Sequence, residues 1–292
     1  MLQLASPLVS TDWLAEHLDE PNLRLFDATV FLHLNQQGPG YTAESGREKW
    51  AAAHIPGAGF LDLVNEFSDP AAAVRFMMPA AARFAELAGH LGIGNDTPVV
   101  LYSAGSVMWS TRAWWMLRSV GFDNAAILDG GWDKWQREAR PTSRDVRPYS
   151  AAKLNPRARP MLWADKASVL KAMNDPAVCT INALSPEVYS GAKNTYGRPG
   201  HIPGSHNVFY NSLLNTADGT FLPPPQLKAR FDTVAAFEGT RVIAYCGGGI
   251  SATMDALALT LAGHSNVAVY DGSMSEWVAD EKLPLTMGSA PK

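Results

Sequence analysis

Arg241-Val242-Ile243-Ala244-Tyr245-Cys246-Gly247-Gly248-Gly249-Ile250-Ser251-Ala252-Thr253-Met254-Asp255 joins a short apolar run to three successive glycines and then to a helical pattern. The run Val242 to Tyr245 lacks polar alternation, as a strand buried on both faces of a parallel sheet does. In an open α/β sheet, ligands bind beyond the carboxyl ends of the strands, which is where Cys246 stands. The glycines let the backbone curl so that several N–H groups face one centre, and the start of the following helix adds its positive end. Such a centre should hold an anion, and a Cys246 thiolate fits it.

The same pattern occurs earlier in the chain. His54-Ile55-Pro56-Gly57-Ala58 returns as His201-Ile202-Pro203-Gly204-Ser205, Val99 to Tyr102 as Val242 to Tyr245, and Asp129-Gly130 as Asp271-Gly272. The displacement is roughly 145 residues each time, so one unit has been duplicated. Trp135 and Trp277 extend the echo into the helices that follow. In each unit short apolar runs alternate with helical patterns, which predicts α/β twice over, each a parallel sheet with helices on both faces. The Pro-rich stretch around Pro148 and Pro156 reads as a connection. The expected division is a first domain over 1–145, a linker over 146–158 and a second domain over 159–292.

Composition narrows the function. With 47% hydrophobic and 18% charged residues in 292, the chain is that of a globular protein able to bury two cores. A formal charge of −4 from 24 Lys+Arg and 28 Asp+Glu gives no basic field for nucleic acid. The best apolar run, Ala256 to Ala262, falls far short of the roughly 18 residues a membrane span needs. The N-terminus lacks signal-peptide character. Two cysteines are too few for a disulfide scaffold or a Cys-built zinc site. The expectation is therefore a cytoplasmic protein with no metal, no cofactor, no nucleic-acid partner and no membrane.

Two rival readings of the glycine loop fail on its residues. A Walker loop wants Lys and then Ser/Thr after its last glycine, but Gly249 is followed by Ile250 and Ser251. A cysteine phosphatase wants an Arg six positions after the nucleophile, and that position is Ala252. Cys179, inside the apolar run Val178 to Ile181, reads as core.

Tandem α/β units, each with His-Ile-Pro-Gly before a strand and Asp-Gly-Gly or Asp-Gly-Ser near its end, resemble the two-domain rhodanese family of sulfurtransferases. A single Cys loop in the second unit completes the likeness, which covers roughly residues 8 to 285. The resemblance implies two tandem rhodanese-like domains and an enzyme working through a Cys246 persulfide. The sulfur would come from a small anionic donor, thiosulfate or 3-mercaptopyruvate. It would pass to a thiophilic acceptor such as cyanide, a small thiol or a thiol protein. A 3-mercaptopyruvate-specific enzyme and a catalytically silent rhodanese-like binding module are the alternatives, and a thiol hydrolase would need a His near Cys246.

The active-site loop then comprises Cys246, Gly247, Gly248, Gly249, Ile250 and Ser251. In the first unit the matching position is Ser103, which cannot carry sulfane sulfur, so that domain should be inactive. Arg198 is placed like an arginine that holds the carboxylate in mercaptopyruvate-specific relatives, with Lys193 on the same loop; a solvated loop arginine is the bland alternative. The second such arginine falls at Tyr189, and those relatives' loop serine at Gly248. Rhodanese-type loops carry basic residues after the Cys that are missing here, so neither pattern is complete. His54 is a possible proton-relay residue on the same resemblance. Its presence in both units, only one of which has a Cys, argues for a structural hydrogen bond.

Overall fold

The computed structural model describes residues 2–291. The first half contains β1 (Leu8–Val9), α1 (Thr11–His17), β2 (Arg24–Asp27), β3 (Val30–Leu34), β4 (Tyr41–Ser45) and α2 (Arg47–Ala52). It continues with β5 (Gly59–Phe60), α3 (Ala81–His90), β6 (Val99–Tyr102), α4 (Met108–Ser119), β7 (Ala125–Leu128) and α5 (Gly131–Arg137). The second half contains β8 (Trp163–Ala164), α6 (Lys166–Ala172), β9 (Val178–Asn182), α7 (Pro186–Tyr189) and β10 (His206–Asn207). It ends with α8 (Pro224–Asp232), β11 (Arg241–Tyr245), α9 (Ala252–Leu261), β12 (Val267–Tyr270) and α10 (Ser273–Ala279).

The two halves form separate five-stranded sheets, β1-β7-β6-β2-β5 and β8-β12-β11-β9-β10, with every neighbouring pair parallel. The central strands are the ones the sequence singles out, β6 and β11. Their residues Val99 to Tyr102 and Val242 to Tyr245 are all buried, as apolar runs without alternation require. Outside the sheets, β3 and β4 make an antiparallel hairpin.

Each sequence echo is one contact made twice. Main-chain bridges pin His54 to Ser143 and His201 to Thr286. The Tyr102 hydroxyl accepts from the Ile55 N–H (3.3 Å), as Tyr245 does from Ile202 (3.1 Å). Trp135 Nε1 donates to the Pro141 carbonyl (2.8 Å), and Trp277 Nε1 to Pro284 (2.9 Å). Buried polar atoms need partners, and the repeated motifs supply them at the same place in each sheet.

The cores explain how the domains sit together. Leu14, Ile55, Trp132 and Trp135 cover one face of the first sheet, and Val169, Ile202, Met274 and Trp277 the matching face of the second. The other two faces merge into a single core built from both halves, including Trp109, Trp115, Leu257 and Leu259. Here α4 packs on α9, with Thr111 Oγ1 and Thr253 Oγ1 2.7 Å apart. Residues Ala252 to Leu259 of α9 are all buried, which suits a helix apolar on nearly every side. The helix that follows the Cys loop is thus held between the two domains.

Between Arg137 and Pro160 the chain forms neither helix nor named strand. It is nonetheless tied down along the first domain: Ala152 N–H donates to Gly89 O (2.9 Å) and Arg157 N–H to Val120 O (2.6 Å). No helix among the described residues is long and apolar enough to cross a membrane. No group of three or more His, Cys, Asp or Glu among them is placed to hold a metal ion.

Candidate active site

Cys246 leaves the carboxyl end of β11, and the loop 247–251 leads into α9. The loop is fastened to the start of α10. Ser273 Oγ accepts from the N–H groups of Cys246 (3.1 Å) and Gly249 (3.0 Å), and donates to Tyr270 O (2.7 Å). The Met274 N–H reaches Cys246 O (3.0 Å), and the Ser275 N–H reaches Gly247 O (2.8 Å). Ser273 holds a left-handed backbone, φ +49°, unusual for a residue with a Cβ. The N–H groups of Gly247, Gly248, Ile250, Ser251 and Ala252 meet no acceptor among the described residues. These unpartnered donors sit in the stretch where the glycine pattern predicts an anion nest.

The three glycines differ in what they do. Gly249 lies at φ +72°, and a Cβ there would come within 2.6 Å of the Asp271 carbonyl, so only glycine fits. At Gly247 a Cβ would fall 1.9 Å from the Tyr196 hydroxyl, whereas at Gly248 it would meet open space.

Cys246 is 2% exposed and lines a cavity of about 350 Å³. Gly247, Gly248, Ile250 and Ser251 line it too; the opposite wall comes from the first domain through Tyr41, Arg75, Phe76 and Trp109. The tip of the β3–β4 hairpin closes one side, with the Gly40 N–H on Thr195 O (2.7 Å). Arg75 is the one Arg, Lys, His, Asp or Glu that lines this cavity among the described residues.

Three weak acids feel the charge of Cys246. Burial, and then the charge of Cys246, push the Tyr196 phenol well above its ordinary range, so it stays an O–H donor. Tyr210 is raised in the same way. Asp255, in the first turns of α9, is fully buried with both carboxylate oxygens unpartnered. Burial and the nearby Cys246 raise it well above the carboxylate range.

A second buried charge locks the loop from across the domain interface. Arg112 of α4 donates through Nη1 to Asp271 Oδ1 (2.6 Å) and Gly249 O (3.1 Å), and through Nη2 to Phe76 O. Its guanidinium lies over the Trp163 ring at 4.6 Å. Asp271 Oδ2 accepts from the Met78 N–H (2.7 Å). The matching carboxylate of the first unit, Asp129, likewise reaches across, accepting from the Phe221 N–H (2.8 Å). The repeat thus fastens each domain to the other.

The remaining residues named from the sequence lie elsewhere. Arg198 spends its guanidinium on two carbonyls, Asp280 O (3.0 Å) and Leu283 O (2.8 Å), and does not line the cavity. Lys193 is exposed and also outside the lining. Tyr189 is buried, with its hydroxyl on Ser205 O (2.6 Å) and its ring stacked on His201 at 3.8 Å. None of these three residues, expected from the sequence to bind the donor, lines the cavity that Cys246 opens on. His54 is fully buried, with Nδ1 2.8 Å from Trp50 O and its ring stacked on Trp50; it too lies outside the cavity lining. Ser103 donates to Ser106 O (2.7 Å). Cys179 is half-buried, and burial pushes its thiol up to about 11.

Sequence reading passed over Arg75, Tyr196, Arg112 and Asp255. Two of these carried a signal, because a charge inside a helix as apolar as α4 or α9 needs a reason to be there.

Comparison with known proteins places the chain among sulfurtransferases. The family model for the rhodanese-like domain matches residues 10–138 and again 166–280. The 3-mercaptopyruvate sulfurtransferase of Escherichia coli K12 is 31% identical over 281 residues, covering 95% of this chain and 96% of that one. The thiosulfate sulfurtransferase of Bos taurus is 35% identical over 284 residues, covering 92% and 91%. Among solved structures, that of SseA from Escherichia coli, described as a 3-mercaptopyruvate sulfotransferase with the rhodanese fold, superposes with TM-score 0.80 at 29% identity. It covers 92% of this chain and 99% of that one.

Proposed function

This chain belongs to the rhodanese family, and on that premise we propose that Cys246 carries a sulfane sulfur from an anionic donor to a thiophilic acceptor. The protein is an enzyme, a sulfurtransferase. The observation that carries the assignment of Cys246 is its place at the head of a loop with five N–H groups that have no acceptor among the described residues, opening on a cavity.

With thiosulfate as donor, the Cys246 thiolate attacks the outer sulfur. A Cys–S–S⁻ bond forms, the sulfur–sulfur bond of thiosulfate breaks, and sulfite leaves with the electron pair. Cyanide or a thiolate then attacks the outer sulfur of the persulfide and returns Cys246 as thiolate. Negative charge on sulfur persists throughout, so the nest acts on every stage. With cyanide as acceptor neither step needs a proton, so thiosulfate asks for no proton donor at the site.

A second reading, 3-mercaptopyruvate as donor, is favoured by Tyr196. Loss of sulfur from that donor leaves an enolate that must take up a proton, and Tyr196 keeps an O–H beside Gly247 to supply one. The physiological setting we propose is the cytoplasm, where reduced thiols keep Cys246 and Cys179 free.

Mass spectrometry after mixing with each donor separately tests these assignments. One added sulfur should map to Cys246 and be absent in Cys246→Ser, while Cys179→Ser should load normally. Wild-type turnover in Cys246→Ser would refute the persulfide assignment, and a large preference for 3-mercaptopyruvate would exchange the two donor readings.

A further inference from the structure

The donor is an anion, so its charged end needs a counter-charge in the cavity. Arg198 and Lys193, which the resemblance offers for that role, do not line it. We propose that Arg75, supplied by the catalytically silent first domain, binds the carboxylate or sulfonate-like end of the sulfur donor and selects anionic donors. The inference rests on Cys246 being the sulfur carrier.

Three observations support it. Arg75 is the single Arg, Lys, His, Asp or Glu in the lining among the described residues. Its guanidinium has no ion-pair or hydrogen-bond partner among them, in contrast to Arg198, so its fork is free for a bidentate acceptor.

The backbone that carries Arg75 is also held in place relative to the sulfur. A hydrogen bond from the Asp69 N–H to Met77 O (2.9 Å) closes the loop 69–77 at its neck. Phe76 adopts φ +66°, a left-handed conformation that a bulky residue keeps only when its surroundings impose it. Its ring packs on Trp109 at 5.2 Å, and its carbonyl accepts from Arg112. Through its other nitrogen Arg112 holds Gly249 O of the Cys loop, and Asp271 holds the Met78 N–H. A short chain of buried and part-buried bonds therefore ties the residue beside Arg75 to the loop of Cys246. This gives the silent domain a task in the reaction: it presents the cation, while the second domain presents the nucleophile.

The test compares an anionic with a neutral alkylating agent at Cys246. Rates of modification by iodoacetate and by iodoacetamide, mapped to the Cys246 peptide at fixed pH and ionic strength, are measured in wild type, Arg75→Ala and Arg75→Lys. Arg75→Ala should lower the iodoacetate rate roughly tenfold, the low end for a charge-assisted hydrogen bond because the side chain is exposed. The iodoacetamide rate should move less than about twofold. Arg75→Lys should regain part of the iodoacetate rate, having the charge without the fork. Sulfur loading from thiosulfate should fall in parallel with the iodoacetate rate.

An unchanged ratio of the two rates in Arg75→Ala overturns the proposal. A parallel fall in both overturns it as well, because Arg75 would then act on the thiol rather than on the reagent's charge. A wild type that takes no sulfur from either donor would instead refute the persulfide reading, and the alkylation ratio would still decide whether Arg75 binds anions.

Discussion

Arg112→Met should destabilise the protein out of proportion to a single side chain. The methionine fills much of the space of the arginine stem but removes three hydrogen bonds, to Asp271 Oδ1, Gly249 O and Phe76 O. The Arg112 and Asp271 side chains are 1% and 9% exposed, so water cannot take the lost partner's place. Removing one member of a buried pair leaves the other charge uncompensated, at a cost of about 3–5 kcal/mol. At about 2–4 °C per kcal/mol for chains of this size, the melting temperature should fall by roughly 6–20 °C. Circular dichroism melts at neutral pH read this directly. At 25 °C, where the variant is still folded, sulfur loading should also fall, because the Gly249 carbonyl and the loop 69–77 lose their common anchor. Arg112→Met with Asp271→Asn should recover part of the stability, since the stranded carboxylate is gone. Arg112→Lys should lie between wild type and Arg112→Met, because an ammonium cannot span all three acceptors. A melting temperature of Arg112→Met within about 2 °C of wild type would refute the view that this pair holds the two domains and the loop together.

Two further perturbations follow from the site and from the repeat. Gly247→Ala forces its Cβ against the Tyr196 hydroxyl and should cost about 1–3 kcal/mol with slower sulfur loading, whereas Gly248→Ser enters open space and should melt within about 0.5 kcal/mol of wild type; equal melting of the two variants would contradict the loop geometry. Burial raises Asp27 to about 6, so the native state holds its proton more tightly than the unfolded chain and stability falls as pH rises from about 4 to 6. Asp27→Asn puts in place the residue that the second domain already has at Asn182, and should gain about 1–3 kcal/mol above pH 6 and nothing near pH 4 in urea titrations; a gain independent of pH would show that the carboxyl is not being neutralised by burial.

The tandem α/β architecture and the place of Cys246 are legible in the sequence because both are local properties. An apolar run without alternation makes a buried parallel strand wherever it lies, and a glycine-rich turn between strand and helix makes an amide nest from consecutive residues. The His, Tyr and Trp echoes survive in the sequence because each marks one buried contact that either domain needs to close its own core, and the Asp129 and Asp271 echo because each fastens its domain to the other. What surrounds the sulfur is a different matter. Arg75 and Cys246 lie far apart in the chain, and they share a cavity because α4 and α9 bury their apolar faces against one another. The resemblance to the family offers Arg198 for substrate binding, yet the carbonyls of Asp280 and Leu283 occupy its guanidinium, and no pattern around it signals their approach. Asp255 and Arg112 stand at the same place in the two repeats, but one is a buried acid with no partner among the described residues and the other a buried cation with three. Residue type and spacing determine which elements form and where a nucleophile can sit. Only the packing of the two domains decides which side chains face it, because that depends on long-range contacts whose partners no local stretch of sequence specifies.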